Sequence, residues 1–219
     1  MKDAWGRTIE YVRLSLTDAC NFCCPYCRPA EITPQSQHQL LSVDEWMTIL
    51  GAFHQVGVKA VRLTGGEPLL YPHIEELLAR IKQTGWFEDI SMTTNGSLLA
   101  TRAKKLKELG LNRVNISLDS LDSDAFALCV GKANQLDSVL SGIQSAIDAG
   151  FISVKINTVL SRHWTDDEVH DLLHYVETWP VIWRFIEYMP FQGDAFHGPT
   201  FDEWKAQLER VCGGSLTEV

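Results

Sequence analysis

Four cysteines fall within eight residues, in the stretch Asp18-Ala19-Cys20-Asn21-Phe22-Cys23-Cys24-Pro25-Tyr26-Cys27. Cys20, Cys24 and Cys27 carry the spacing Cys-x3-Cys-x2-Cys. Three thiolates on one short loop can hold three irons of a 4Fe-4S cubane; such a cluster takes four cysteines, so three leave one iron open to a further ligand. Two other chemistries fit the same loop. Cys24-Pro25-Tyr26-Cys27 alone has the form of a dithiol active site, in which a low-pKa thiolate attacks a disulfide. Cys20-x2-Cys23 followed by Cys24-x2-Cys27 has the form of four zinc ligands. Adjacent Cys23 and Cys24 point in different directions, which strains a single tetrahedral site. Cys129 and Cys212 stand alone, so the cysteine count does not describe a disulfide framework.

Further along stand Arg62-Leu63-Thr64-Gly65-Gly66-Glu67-Pro68, Thr93-Thr94-Asn95-Gly96 and Asn115-Ile116-Ser117-Leu118-Asp119-Ser120-Leu121-Asp122. Residues without a Cβ let the backbone approach a ligand at Gly65-Gly66; an ordinary strand-to-helix turn explains the same pair equally well. Together the three motifs fall at the C-terminal ends of successive strands, where barrel enzymes place their sites. The histidines make no ligand pattern: His170 and His174 are four apart, but no Glu follows His170 as a metalloprotease helix requires.

The elements that must position these residues are legible as β-rich runs alternating with helical periodicity. Strands are expected at Tyr11 to Leu16, Ala60 to Thr64, Asp89 to Thr94, Arg113 to Asp119, Ser153 to Leu160 and Val181 to Tyr188. Helices are expected at Val43 to Val56, His73 to Thr84, Thr101 to Leu109, Leu136 to Ala149, Thr165 to Thr178 and Thr200 to Val211, several ending at a glycine. Repeated βα units imply parallel strands with right-handed crossovers. Polar residues recur on alternate positions: Arg13, Ser15 and Thr17; Arg62 and Thr64; Ser91, Thr93 and Asn95; Asn115, Ser117 and Asp119; Lys155 and Asn157; Glu187. Parallel strands covered on both faces read as continuous apolar runs, so this parity implies a curved sheet with one wet, ligand-holding face. A half-exposed antiparallel sheet also alternates, but intervening helices of ten or more residues make it awkward.

Composition narrows the function. The 219 residues are 45% hydrophobic and 21% charged with a formal charge of −9, which fits a globular core and argues against a non-specific nucleic-acid binder. An anionic substrate then needs a local basic pocket. MKDAWGRTIE has no apolar signal region and no run reaches about 18 apolar residues, so a cytoplasmic protein with no membrane span is expected.

The loop spacing, with Tyr26 before its last cysteine, and the Gly-Gly-Glu-Pro element resemble the radical S-adenosylmethionine (radical SAM) superfamily. The strings VRLSLTDACNFCCPYC, VRLTGGEP, TTNG, VNISLDSLD, VKINTVL and RFIEYM, from about Gly6 to Met189, resemble its GTP 3′,8-cyclase family of molybdenum cofactor biosynthesis. The resemblance implies an α/β fold, a partial TIM-type (β/α)6 radical SAM barrel of parallel strands with outer helices, and one core domain over 1–219. It implies that Cys20, Cys24 and Cys27 bind a 4Fe-4S cluster, that Tyr26, Gly66, Ser117 and Met189 contact S-adenosylmethionine, and that Arg13, Arg62, Thr93 and Lys155 contact GTP. It further implies reductive cleavage of S-adenosylmethionine and radical cyclisation of GTP to 3′,8-cyclo-7,8-dihydro-GTP, with no side-chain acid or base. A flavodoxin or ferredoxin as reductant, cyclic pyranopterin monophosphate synthase downstream and a homodimer complete the implied partners. Salt-bridging to Asp or Glu is the ordinary alternative for each of the three cations.

Members of that family continue beyond the position of Val219 with a second three-cysteine cluster, an arginine-rich motif and a Gly-Gly tail. The chain is therefore expected to be a fragment in which the second cluster is not encoded. Gly213-Gly214 is expected to be a turn after the last helix, and Cys23, a second departure from the family, to be non-ligating.

Overall fold

The computed structural model describes residues 4–27, 40–189 and 198–216. The alternating segments form six parallel strands, β1 (Tyr11–Ser15), β2 (Ala60–Thr64), β3 (Asp89–Thr94), β4 (Arg113–Ser117), β5 (Ser153–Leu160) and β6 (Ile182–Glu187), arranged in chain order. The helices are α1 (Val43–Gln55), α2 (Ile74–Thr84), α3 (Ala103–Glu108), α4 (Ser123–Val130), α5 (Leu136–Asp148), α6 (Asp166–Thr178) and α7 (Phe201–Cys212), with a 3₁₀ turn at Pro68–Leu70. Helices begin where the sequence supplies reciprocal caps. Ser42 with Glu45, Thr165 with Glu168 and Thr200 with Glu203 each satisfy two orphan backbone donors at the starts of α1, α6 and α7. Gly213 closes α7 in the left-handed conformation, as expected of a turn.

Two local expectations need correction. The fourth strand stops at Ser117 rather than Asp119. The Asp119 carboxylate itself accepts the N–H of Val159 at 2.8 Å, so a side chain takes the place of the next ladder partner. The segment after it forms a helix, α4, that periodicity does not announce; Asp122 caps it through the N–H of Ala125 and Gly131 closes it in the left-handed conformation.

Contacts divide the chain into two compact units. The first comprises Met1–Asn21, Thr33–Ile116 and Ser138–Val154, and the second Phe22–Ile32, Ser117–Asp137 and Lys155–Val219. In the first, β1 pairs with β2 in a register that sets Arg13 beside Arg62 and Ser15 beside Thr64, and β2 pairs with β3 so that Arg62 neighbours Ser91. Val61 and Leu63 are fully buried while Arg62 and Thr64, which alternate with them, are half-buried, so the alternation does separate a packed face from an accessible one. Ser91 and Asn115 depart from it: both are buried and bond to strand carbonyls, Ser91 to Val61 and Asn115 to Met92.

In the second unit β5 and β6 pair with Asn157 beside Arg184. Along β5 the parity is complete, with Ile156, Thr158 and Leu160 buried and Lys155, Asn157 and Val159 half-buried. Thr158 is the polar exception on the packed face. Its hydroxyl donates to the Leu118 carbonyl at 2.5 Å and accepts from the Trp183 indole at 2.7 Å, which satisfies the buried hydroxyl and the half-buried indole. Trp164, Trp204, Leu160, Val169 and Leu172 form the core beneath α6 and α7.

Candidate functional site

The cysteine loop crosses from one unit to the other between Asn21 and Phe22, and each part is held by its own surroundings. In the first unit the Gly65-Gly66-Glu67 turn at the end of β2 lies directly against the chain leading into Cys20. Gly66 donates its N–H to the Thr17 carbonyl and Glu67 its N–H to the Ala19 carbonyl, both at 2.7 Å. A Cβ on Gly66 would lie 2.3 Å from the Ala19 carbonyl oxygen, and one on Gly65, whose φ is +144°, 2.4 Å from that of Thr17. These approaches are closer than any side chain tolerates, so the two glycines are required by the protein's own backbone whatever ligand the turn also meets.

Glu67 is wholly buried. Burial pushes its carboxyl up, against the N–H groups of Asn95 and Leu69 and the Thr94 hydroxyl, which pull it down. The carboxylate thus ties the end of β2 to the end of β3. Beyond it, Asn95, Ser97 and Asn21 form a closed polar ring beside Cys20.

In the second unit Phe22 is buried edge-on to Phe126 of α4, centroids 6.3 Å apart. Cys23 donates its N–H to the Val130 carbonyl at 2.9 Å, and its carbonyl comes so near Gly131 that a Cβ there would be 2.5 Å away. Tyr26 donates its hydroxyl to Asp119 at 2.5 Å. Burial, then the Asp119 charge, holds the phenol far above its usual value. Burial raises Asp119 to about 6 against the Tyr26 and Val159 bonds and the Arg162 charge. Ser120, Arg162 and Glu168 pack next to it in a hydrogen-bonded group. Although burial raises Glu168, the bonds and charge of Arg162 and the Thr165 N–H leave its carboxyl below the ordinary range.

All six cysteines are thiols: Cys20 and Cys24 half-buried, Cys23, Cys27 and Cys212 exposed, and Cys129 buried. Among the described residues no three His, Cys, Asp or Glu side chains are spaced around a single ion. The donor set, three thiols from eight residues, suits a cluster that takes one cysteine per iron.

Of the remaining sequence-predicted residues, the first unit holds Arg13, exposed, and Arg62 and Thr93, half-buried, on the accessible face. Arg62 lies over the Tyr11 ring at 5.3 Å and donates weakly to Ser91. The second holds Ser117 and Lys155, half-buried, and Met189, 75% exposed beyond β6. Among the described residues neither Arg13, Arg62 nor Lys155 has a carboxylate within 4.0 Å, whereas Lys59, Arg80, Arg102, Arg113, Arg162 and Arg210 all do. Sequence reasoning missed Phe126, the partner of Phe22, and Val130 and Gly131, the anchors of Cys23; Asp122 and Gly131, eight residues of α4 between them, are the cap signals that mark that helix.

Residues 14–176 match the sequence profile of the radical SAM superfamily. The chain is 44% identical over 191 residues to the GTP 3′,8-cyclase of Listeria welshimeri, covering 87% of this chain and 57% of that protein. It is 42% identical over 213 residues to the GTP 3′,8-cyclase 2 of Pseudomonas aeruginosa, covering 95% and 64%. The chain thus spans 57% to 64% of the length of these curated relatives. Among solved structures, Streptococcus suis SuiB bound to S-adenosylmethionine matches with a TM-score of 0.72 at 20% identity, over 94% of this chain and 46% of that one. The protein anSMEcpe with bound AdoMet matches with a TM-score of 0.70 at 15% identity, over 94% and 58%. These two share the fold: the expected parallel α/β architecture of a partial (β/α)6 radical SAM barrel is borne out. Among the described residues no helix is long and apolar enough to cross a membrane.

Proposed function

The chain belongs to the radical SAM superfamily, and on that premise we propose that it is the catalytic core of a GTP 3′,8-cyclase in molybdenum cofactor biosynthesis. The family's cofactors are S-adenosylmethionine and an iron–sulfur cluster. Cys20, Cys24 and Cys27 would hold a 4Fe-4S cluster, and Tyr26, Gly66, Ser117 and Met189 would contact S-adenosylmethionine. Arg13, Arg62, Thr93 and Lys155 would contact GTP. When bound, the two cofactors supply one-electron reductive cleavage and the abstraction of a hydrogen atom.

The protein's own residues do the orienting. The Gly65-Gly66 turn fixes the path of the chain into Cys20 through backbone bonds that leave no slack. The Tyr26 hydroxyl is committed to Asp119, so that side chain sits in one position and stays protonated. Positioning of this kind is what a radical reaction asks of the protein, because the cofactors carry the difficult chemistry.

The observation that carries the GTP reading is the pair Arg13 and Arg62. Two arginines in direct register on neighbouring strands repel each other, and such pairs are normally relieved by a carboxylate. Here none stands within reach among the described residues, in a chain with a formal charge of −9. A triphosphate supplies the missing anion, and pairs of its phosphoryl oxygens match the planar, bidentate fork of the guanidinium. A flavodoxin or ferredoxin as reductant, and cyclic pyranopterin monophosphate synthase as the consumer of the product, belong to the same reading, as does a homodimer.

The test is anaerobic reconstitution with iron and sulfide, followed by GTP titration of the wild type and of Arg13→Ala and Arg62→Ala. An electron paramagnetic resonance signal of the reduced cluster that changes on adding S-adenosylmethionine, with GTP affinity at least tenfold weaker in each arginine variant, is the expected result. Iron uptake with no GTP binding by the wild type points to a radical SAM enzyme for another substrate, and GTP binding unchanged in both variants overturns the assignment of the two arginines. Zinc with no iron uptake overturns the reading altogether.

A further inference from the structure

We propose that Asn95 is a positioning residue for the cluster, holding Cys20 and donating a side-chain N–H to its sulfur so that the reduced cluster is stabilised. The inference rests on the reading of Cys20 as a cluster ligand. Its geometry lies wholly within the first unit. The Asn95 amide nitrogen stands 2.8 Å from the Asn21 side-chain oxygen and 3.9 Å from Cys20 Sγ.

The orientation of that amide is set by its partners. Asn95 Oδ1 accepts from the Ser97 backbone N–H at 3.0 Å, a group that can only donate, so the NH2 end must face Asn21 and Cys20. The Ser97 hydroxyl donates to the same oxygen at 2.7 Å and accepts from the Asn21 amide nitrogen at 2.9 Å, which closes the ring. One N–H of Asn95 is then spent on Asn21, and the other is aimed at sulfur. The Asn95 backbone is pinned independently, its N–H donating to the buried Glu67 carboxylate at 2.7 Å. Neither the backbone nor the side chain of Asn95 can turn away without breaking a bond that is otherwise satisfied.

A thiol sulfur at 3.9 Å is a weak acceptor, and a thiolate on iron is a stronger one because it carries charge. Reduction adds an electron to the cluster and increases the negative charge on its sulfurs. A donor fixed beside Cys20 therefore favours the reduced form over the oxidised one, by the same hydrogen-bond lever that sets the potentials of iron–sulfur proteins generally. Ser97 and Asn21 hold Asn95 in place, and Asn95 points at the sulfur.

The experiment uses the reconstituted chain, with iron content and the midpoint potential measured in the absence of S-adenosylmethionine for the wild type, Asn95→Asp, Asn95→Ala and Ser97→Ala. In Asn95→Asp an acceptor replaces the donor without a change of size. The expected result is near-wild-type iron content in at least one Asn95 variant, with the reduced-to-oxidised ratio at fixed potential falling about tenfold, equivalent to ~59 mV for a one-electron couple. Ser97→Ala, which keeps the donor, should shift far less. A wild-type midpoint in an iron-loaded Asn95 variant overturns the proposal, and so does loss of iron from both variants, which would make Asn95 a scaffold only. Wild-type chain that takes up no iron, or a Cys20→Ala variant that keeps a full cluster, instead overturns the reading of Cys20 on which the proposal stands.

Discussion

Cys20 and Asn21 are held by backbone against backbone and by a ring of neutral amides and hydroxyls, whereas Phe22 to Cys27 are held by a helix, an aromatic pair and a buried carboxylate. In the first region the close contacts run from the Gly65-Gly66-Glu67 turn to Thr17 and Ala19, and its one buried acid, Glu67, is saturated with donors. In the second, Phe22 lies on Phe126, Cys23 is tied to the last turn of α4, and Tyr26 depends on Asp119, whose charge is in turn coupled to Arg162 and Glu168. The two regions should therefore fail differently. The first tolerates no added atom, while the second can be loosened by a cavity or retuned by charge.

The largest effect is expected from Phe126→Ala. Phe126 is 1% exposed, and truncating a buried phenylalanine costs about 3 to 5 kcal/mol. Denaturant unfolding checks the magnitude, and thiol alkylation checks the region: Cys23 and Cys24 should label faster while Cys20 is unchanged. Gly65→Ala should come next, at about 2 to 3 kcal/mol, because it combines a strained φ of +144° with a 2.4 Å clash against the Thr17 carbonyl. Its labelling pattern should be the reverse, with Cys20 gaining reactivity. Equal acceleration of all three thiols in both variants would break the comparison.

How much of this was legible in the sequence follows the same division. The strands Ala60–Thr64, Asp89–Thr94 and Ser153–Leu160 fall where alternation places them, and the starts of α1, α6 and α7 lie within one residue of expectation because each has a side-chain cap. Helix α4 is too short and too apolar to show a period, and what makes it a helix is burial of Phe126, Cys129 and Val130, a tertiary fact. Gly66 was legible as a close approach, but a sequence cannot say whose backbone approaches. The ring of Asn21, Asn95 and Ser97 joins residues more than seventy positions apart, and short polar side chains at strand ends give no local signal of being partners. Arg13, Arg62 and Lys155 were legible as polar-parity positions of their own strands; that none has a carboxylate within 4.0 Å among the described residues appears only in three dimensions.

Glu168→Gln probes the electrostatic side of the second region. Glu168 is buried between Arg162, Ser120 and its own helix cap. Removing its charge leaves Arg162 uncompensated at a partly buried site, for an expected loss of about 2 kcal/mol. Because the folded-state pKa of Glu168 is lowered, the stability it contributes is present above its usual value of 4.5 and is lost as pH falls through the folded value. The variant should flatten that acid limb in a stability-versus-pH series. It should also bring Asp119 below about 6, since Arg162 is then free to act on Asp119 alone. No change in the acid limb would mean that Glu168 is not coupled to folding.

The smallest expected effect is at Tyr26 and Asp119, and it has the opposite sign. The folded-state pKa of Asp119 is raised, so the stabilising contribution of its protonated form is complete below its usual value of 3.8 and is lost as pH rises through about 6. Tyr26→Phe removes one of the donors that stabilise the carboxylate, so the loss should move to higher pH, and the variant should be weaker by about 1 kcal/mol near neutrality. Asp119→Asn should abolish the limb, because an amide does not titrate. Gly65→Ala alters neither the Tyr26 nor the Val159 bond to Asp119, so it should leave that limb at its wild-type pH. Parallel displacement of the Tyr26→Phe curve, with no movement along the pH axis, would show that Asp119 does not feel the phenol. The second region would then be held by packing on α4 alone, and the contrast between the two parts of the loop would reduce to backbone contact against side-chain contact.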